Sequence, residues 1–292
     1  MVRNPILTMI ERMRRSKSFQ VASLLSPSAA WLLVFFLLPL VMVLLVSLGK
    51  RGDMGQVIYE WNLDNYIRFM DPIYFKIFLR SLWIAAINTA LCLLFGYPFA
   101  YFIARRARRW RNVLLLLVMV PFWTNFLVRT YSWMVILRDK GLINSLLMQT
   151  GIISEPLPLL YNQNAVILGL FYGYLPFMVL PLYASIEKVD FSLVEAAQDL
   201  GANALTAFRR IVLPLTMPGI VAGAIITFIP SIGAYVTPDL LGGAKAMMIG
   251  NLLQQQFLEV RDWPFGSAVG FILMVTVLLG TMLYFRTGGR TL

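Results

Sequence analysis

The stretch Phe191-Ser-Leu-Val-Glu-Ala-Ala-Gln-Asp-Leu-Gly201, continued by Ala202-Asn-Ala-Leu-Thr-Ala-Phe-Arg-Arg-Ile-Val-Leu-Pro214, is a polar island between two long apolar runs. Ser192 followed three residues later by Glu195 has the form of a capping box. In that motif the Ser hydroxyl accepts from the Glu195 amide and the Glu carboxylate accepts from the Ser192 amide. Ala196 and Ala197 propagate a helix at little entropic cost, and Gly201 supplies its left-handed stop. A second helical stretch is expected over 202–212, ending before Pro214, with Phe208 and Ile211 one turn apart on a single face.

Uncharged apolar runs flank this island at 165–186 and 219–238, and others occupy 24–48, 81–104, 113–137 and 266–285. A helix needs about 20 apolar residues to cross a bilayer, so each run is expected to be a span. Only the third contains a charge, Arg129. The first run is too long for the 7 to 15 residues of a signal-peptide core and is read as a retained span. The whole chain is accordingly 59% hydrophobic and 13% charged, against about 25% charged in a soluble domain. Its mean hydropathy is +0.73. The expectation is a single membrane domain covering 1–292, with the polar loop at 187–217.

The net charge of +11 sorts by side. If the polar island and both termini face the cytoplasm, that side carries fifteen Lys and Arg against five Asp and Glu, while the outer segments carry nine of each. An excess of Lys and Arg marks the cytoplasmic face of membrane proteins, so the basic residues orient the chain rather than bind nucleic acid.

Pro39, Pro98, Pro121, Pro176, Pro181 and Pro230 lie within spans. There a freed carbonyl must find a partner in a neighbouring helix or a cavity. Gly169 with Gly173, Gly219 with Gly223, and Gly266 with Gly270 form small-xxx-small faces suited to close helix packing. The chain has no histidine and one cysteine, Cys92. That removes the commonest metal ligand and general base, and no paired carboxylates or activated nucleophile sit in a span. An enzyme is therefore disfavoured. A proton- or sodium-coupled transporter would place ionisable groups at mid-membrane, and only Arg129 is there.

Glu195, Ala196, Ala197, Gly201, Phe208, Ile211, Leu213 and Pro214 match in identity and spacing the EAA-loop pattern E-A-A-x3-G-x6-F-x2-I-x-L-P. The chain thus resembles the permeases of ATP-binding-cassette importers. Further stretches resemble the polyamine branch of that family, and within it the first of two non-identical membrane subunits. These are Val120-Pro-Phe-Trp-Thr-Asn-Phe-Leu-Val-Arg129, Leu175-Pro-Phe-Met-Val-Leu-Pro-Leu-Tyr183, Leu241-Gly-Gly-Ala-Lys245 with Ile249-Gly-Asn251, and Arg261-Asp-Trp-Pro-Phe265.

The resemblance implies an all-α bundle of six transmembrane helices of the type I importer kind, in a bacterial inner membrane, with a coupling helix over 192–201. It implies partners: a second permease, two ATPase subunits that hold ATP and Mg, and a periplasmic binding protein that delivers spermidine- or putrescine-like cargo. Another small solute on the same architecture is the alternative. No cofactor is expected on this chain, and no G-x-x-x-x-G-K-[ST] phosphate loop occurs, since Gly242-Gly-Ala-Lys245 lacks the spacing and the Ser or Thr.

The coupling residues are expected to be Ser192, Glu195, Ala196, Ala197, Gly201, Phe208, Ile211, Leu213 and Pro214. A polycation wants acceptors or aromatic faces, so the pathway candidates are Trp123, Thr124 and Asn125 after Pro121, then Tyr172 and Tyr174, then Tyr235 and Asp239. Arg129 is expected to shape an outer gate by pairing with Asp239 or Asp139, because a lone guanidinium at mid-membrane costs about 2.5 to 3.5 kcal/mol on insertion scales. Trp61, Tyr66, Trp263 and Phe265 are candidate anchors for the binding protein.

Overall fold

A computed structural model describes residues 17–53, 55–106 and 109–288. Of the basic residues counted on the inner side, Arg3, Arg12, Arg14, Arg15, Arg108 and Arg290 lie outside the described residues. The chain divides into two compact units, Met1–Arg68 with Val260–Val275, and Phe69–Glu259 with Thr276–Leu292.

In the first unit, α1 (Lys17–Leu32) passes through a π-helical turn at Leu33–Leu37 into α2 (Leu38–Ser47). Together they supply the apolar helix Leu24–Ser47. Two short antiparallel strands follow, β1 (Lys50–Arg51) and β2 (Val57–Ile58), with Lys50 opposite Ile58. The short helix α3 (Asp64–Phe69) is tied back by Asn65, whose Nδ2 donates to the carbonyls of Ser47 and Gly49 at 3.0 and 2.8 Å. Arg68 pairs with Asp262 at 2.7 Å and lies 4.1 Å over the Phe265 ring. The other oxygen of Asp262 accepts from the Phe265 amide at 3.2 Å, at the start of the last helix (Trp263–Gly288). Phe265 is fully buried, which removes it as a free docking anchor. Trp61, by contrast, is 83% exposed.

The second unit is built on three long helices, α4 (Pro72–Arg105), α8 (Gln163–Ile186) and α11 (Leu213–Ile232), packed on one another. Between them run α5 (Arg111–Trp123), α6 (Phe126–Leu137), α7 (Leu142–Gln149), α9 (Ser192–Asp199) and α10 (Ala204–Ala207). α4 starts nine residues before the expected span because Asp71 caps it, accepting from the Ile73 amide at 2.9 Å, with Pro72 at the first helical position. Close approach explains the glycine face on α11. A Cβ on Gly219 would sit 2.4 Å from Ser185 Cβ and 2.7 Å from the Pro181 carbonyl, so any side chain there would drive α8 and α11 apart. Buried polar side chains fasten the same helices. Asn88 Nδ2 of α4 donates to Ser231 Oγ of α11 at 2.8 Å, and the Tyr97 and Thr216 hydroxyls meet at 2.8 Å.

Two further boundaries differ, at the two ends of the fifth expected span. The stretch expected to end before Pro214 runs on, so that Ala204–Ile232 is one apolar helix. A π-helical turn at Phe208–Val212 makes this possible, with the Leu213 amide bonding to the Phe208 carbonyl. Widening the turn moves aside the carbonyl that the proline ring would strike. The π turn before Pro39 does the same, with Leu38 bonding to Leu33. At its other end this helix stops at Ile232 rather than Pro238. Pro238 opens a π turn of its own over Pro238–Gly242.

The third expected span is broken between α5 and α6: Arg111–Trp123 and the stretch Phe126–Gln149, which holds α6 and α7, are bent by 88°. Among the described residues, five helices are long and apolar enough to cross a membrane, or six when this bent pair is one span.

Candidate functional site

The 187–217 segment is a helix-turn-helix seated on the end of α4. Its first helix, α9, is not capped as expected. Ser192 makes no cap bond to Glu195; instead Asp190 Oδ1 accepts from the Ser192 amide at 3.0 Å, while the Glu195 amide bonds to the Phe191 carbonyl at 3.2 Å. The carboxylate two residues upstream reaches the first free amide, so the Ser hydroxyl has no orphan donor to take. Hydrogen bonds from the Ser192 side chain and amide hold the Asp190 carboxyl below its ordinary pKa. Gly201 ends the helix with φ +87°. Its amide bonds to Gln198 and the next amide, Ala202, to Ala197, both at 2.9 Å, which is the Schellman arrangement. Asn203 then caps α10, accepting from the Thr206 amide at 2.8 Å.

The inner face of this segment is apolar. Val194, Ala207 and Val212 are buried together, with Ala197, Phe208 and Ile211 packed on them beside Tyr101 and Phe191. The Tyr101 ring meets Phe191 at 6.1 Å and Phe208 at 6.4 Å edge-on, and Tyr97 meets Phe208 at 5.6 Å. Arg105 donates to the Tyr101 hydroxyl at 2.8 Å and lies 4.7 Å over Phe191. Arg111 pairs with Glu187. Thus Tyr97, Tyr101 and Arg105, at four-residue spacing on α4, clasp both halves of the segment. Sequence reasoning passed over them, although the i, i+4 ladder of two tyrosines and an arginine is visible in the chain. The outer face is open: Ser192, Glu195, Ala196 and Pro214 are exposed, and so are Leu193, Leu200 and Leu205, at 49, 90 and 65%. Leu213 is half-buried.

The second group of candidates lies at the 88° break. α5 ends at Trp123. Thr124 and Asn125 are extended, and Asn125 Oδ1 caps α6 by accepting from the Leu127 and Val128 amides. The Pro121 carbonyl, left free by the break, accepts from Thr124 Oγ1 at 2.7 Å and from Arg129 Nη1 at 2.9 Å. Arg129 therefore forms neither expected ion pair. It lies between the rings of Phe126 and Tyr172, 5.4 and 5.8 Å from their centroids, and Trp133 packs edge-on against Tyr172. An arginine finds a carbonyl here because the broken turn exposes one, which satisfies two stranded polar groups at once.

So Thr124, Arg129 and Tyr172 are brought together and Asn125 sets the bend. Trp123 is 71% exposed. Tyr174 instead donates to the Pro230 carbonyl of α11 at 3.3 Å. Tyr235 and Asp239 are exposed on the turn after α11, where the Tyr235 carbonyl accepts from the Asp239 amide and from Asn251 Nδ2. Neither bonds to Arg129.

Residues 96–287, which hold the polar segment, the break and the last helices, match the family described as binding-protein-dependent transport system inner membrane component. The chain belongs to this family. As a transport component it is 47% identical over 256 residues to the spermidine/putrescine transport system permease protein PotB of Escherichia coli (strain K12), covering 88% of this chain and 93% of that one. It is 45% identical to PotB of Haemophilus influenzae (strain Rd), covering 88% and 90%. The inner membrane ABC transporter permease protein YdcU of Escherichia coli (strain K12) is 32% identical, covering 77% and 75%.

Among solved structures, a bacterial ABC transporter involved in import of the acidic polysaccharide alginate superimposes with a TM-score of 0.71 at 18% identity, covering 98% of this chain and 99% of that one. The same kind of transporter in complex with an alginate pentasaccharide-bound periplasmic protein gives 0.72. The transport component thus has the all-α, multi-pass fold of type I importer permeases and resides in the inner membrane. Its relatives are transport subunits, not enzymes.

Proposed function

We propose that this chain forms half of the translocation pathway of an ATP-driven importer of spermidine and putrescine, beside a second permease, two ATPase subunits and a periplasmic binding protein. The observation that carries the reading is the 47% identity to a spermidine/putrescine permease across 88% of the chain.

The 192–214 segment is the coupling element, facing the cytoplasm with both termini. Leu193, Leu200 and Leu205 stay exposed among the described residues, as suits a helix that lies in a cleft of an ATPase subunit. ATP and Mg are held there, and the ATP is hydrolysed there. Motion of that subunit moves α9. The Schellman turn at Gly201 and the aromatic clasp of Tyr97, Tyr101, Phe191 and Phe208 keep α9 from folding away, so the displacement passes into α4 and α11. At the far end, the break held by Arg129, Thr124 and Asn125 responds as the outer gate. Trp123, Tyr172, Tyr174, Tyr235 and Asp239 offer a cationic cargo ring faces, hydroxyls and one carboxylate, each cation–π contact being worth about 0.5 to 2 kcal/mol.

The test is uptake of labelled spermidine by proteoliposomes holding the four-component importer, with ion gradients collapsed. Uptake should require ATP and the binding protein, and Glu195→Lys should abolish cargo-stimulated ATP hydrolysis without removing the chain from the membrane. Uptake that persists without ATP, or stimulation by another solute in a panel of amines and anions but not by polyamines, overturns the reading.

A further inference from the structure

A recess of about 220 Å³ opens beside the end of α2, lined by Leu45, Leu48, Gly49, Tyr59, Glu60 and Trp61, all within the first unit. Its depth in the membrane follows from Leu45, which belongs to the apolar helix Leu24–Ser47. That helix is about 36 Å long at 1.5 Å per residue, against a hydrocarbon core of about 30 Å. Centred in the bilayer, it leaves Leu45 about 14 Å from the midplane, just inside the acyl region. Tyr59 and Trp61 share the recess with Leu45, and both are exposed.

The walls are fixed before any ligand arrives. The last carbonyls of a helix have no partner within it and cannot stay bare beside lipid. The Leu48 carbonyl accepts from the Asn62 amide at 3.1 Å, and Asn65 takes those of Ser47 and Gly49. The Ser47 and Tyr66 hydroxyls meet at 2.7 Å. Gly49 permits this return of the chain, since a Cβ there would lie 2.9 Å from the Ile58 carbonyl. The 58–66 segment is thus clamped to the end of the span.

The lining decides what the recess can take. It is apolar apart from its rim, where Lys50 pairs with Glu60 at 3.1 Å. Ile58, Leu63 and Ile67 are exposed nearby and widen the apolar margin. Tryptophan and tyrosine rings settle at the boundary between headgroups and acyl chains, with one end apolar and the other wet. A soluble protein has no access to the depth of Leu45. A transmembrane helix, about 10 Å across, does not enter so small a recess. An apolar cavity of about 150 Å³ holds benzene. By that measure, about 220 Å³ holds roughly nine carbons of an alkyl chain.

We propose that this recess holds the acyl chain of a membrane phospholipid, with Tyr59 and Trp61 as its recognition residues. Trp61 then faces lipid and not a soluble docking partner. The inference needs only that Leu24–Ser47 spans the bilayer, and holds for any cargo and either orientation of the chain.

The test uses the importer assembled with its partner subunits in phospholipid nanodiscs, with binding protein present. The photoreactive residue benzoylphenylalanine replaces Trp61, and after illumination the adducts of this chain are identified by mass spectrometry. A phospholipid adduct should form, and Leu45→Trp, which fills the recess, should lower its yield about threefold. If the probe at 61 prevents assembly, the same probe in place of Tyr59 should give the same two results. An adduct to the binding protein or to the second permease in place of lipid overturns the proposal, as does the lack of a lipid adduct at both positions. A lipid adduct whose yield ignores Leu45→Trp reports bulk lipid only and overturns it too.

Discussion

Arg129 and Pro121 meet across the break in the third span: the guanidinium donates to the proline carbonyl at 2.9 Å where the helix axes turn by 88°. The bond joins α6 back to the end of α5. It converts two liabilities in lipid, a free carbonyl and a charge, into one clasp.

Arg129→Met should leave the amount of inserted protein unchanged or slightly raised, because the buried charge is gone. Spermidine uptake should fall about tenfold, the equivalent of about 1.4 kcal/mol, with Arg129→Lys in between. Uptake in proteoliposomes, normalised to inserted protein, checks this. Full activity in Arg129→Met would separate the residue from the gate.

Gly201 sits at φ +87° with no atom within 4 Å of where its Cβ would be. Substitution there is purely a backbone matter, costing about 1 to 2 kcal/mol for an ordinary residue and less for Asn. Cargo-stimulated ATP hydrolysis should therefore fall in the order Gly201, Asn, Ala, Val. A steric role would instead rank the variants by side-chain volume, with Asn worse than Ala.

Asp190 anchors the start of α9 as a carboxylate. Its pKa is lower folded than unfolded, so the stabilisation is complete at neutral pH. It is lost as pH falls from the ordinary value of 3.8 through the depressed one. Hydrogen exchange at the Ser192 amide should accelerate at low pH beyond the intrinsic chemical rate. Asp190→Ala should exchange fast at both pH values, and Asp190→Asn should be protected at both.

Tyr101 touches Phe191 and Phe208, on opposite sides of the 187–217 segment, and holds Arg105 through its hydroxyl. Tyr101→Leu should lower uptake about tenfold at roughly unchanged ATP hydrolysis, each lost aromatic pair being worth about 0.5 to 1.5 kcal/mol. Tyr101→Phe keeps both ring contacts and should remain near wild type. The measurement is ATP hydrolysed per spermidine imported. A merely structural role would lower both rates together and leave that ratio fixed.

Much of this was legible in the chain. The apolar runs at 24–48 and 165–186 coincide within two residues with the helices Leu24–Ser47 and Gln163–Ile186, since a helix meant for lipid is marked by the composition of about 20 consecutive residues. Gly201 was readable as a helix stop because few other residues tolerate that backbone. The capping residue of α9 was misplaced because Ser192 and Asp190 compete for the same local amides, and spacing alone does not rank them. The start of the fifth expected span differs because the π turn at Phe208–Val212 carries its helix past Pro214, and the pattern of prolines alone does not reveal such a turn.

By itself, then, the sequence determined the membrane character, the long apolar helices and the polar segment with its glycine stop. All of these follow from local composition and backbone preference. Tertiary structure alone decided that Arg129 takes a carbonyl instead of a carboxylate, that Asn88 reaches Ser231 across 143 positions, and that Tyr97 and Tyr101 clasp the 187–217 segment. Buried polar groups and rings take the partners that packing brings within reach, and those lie far off along the chain.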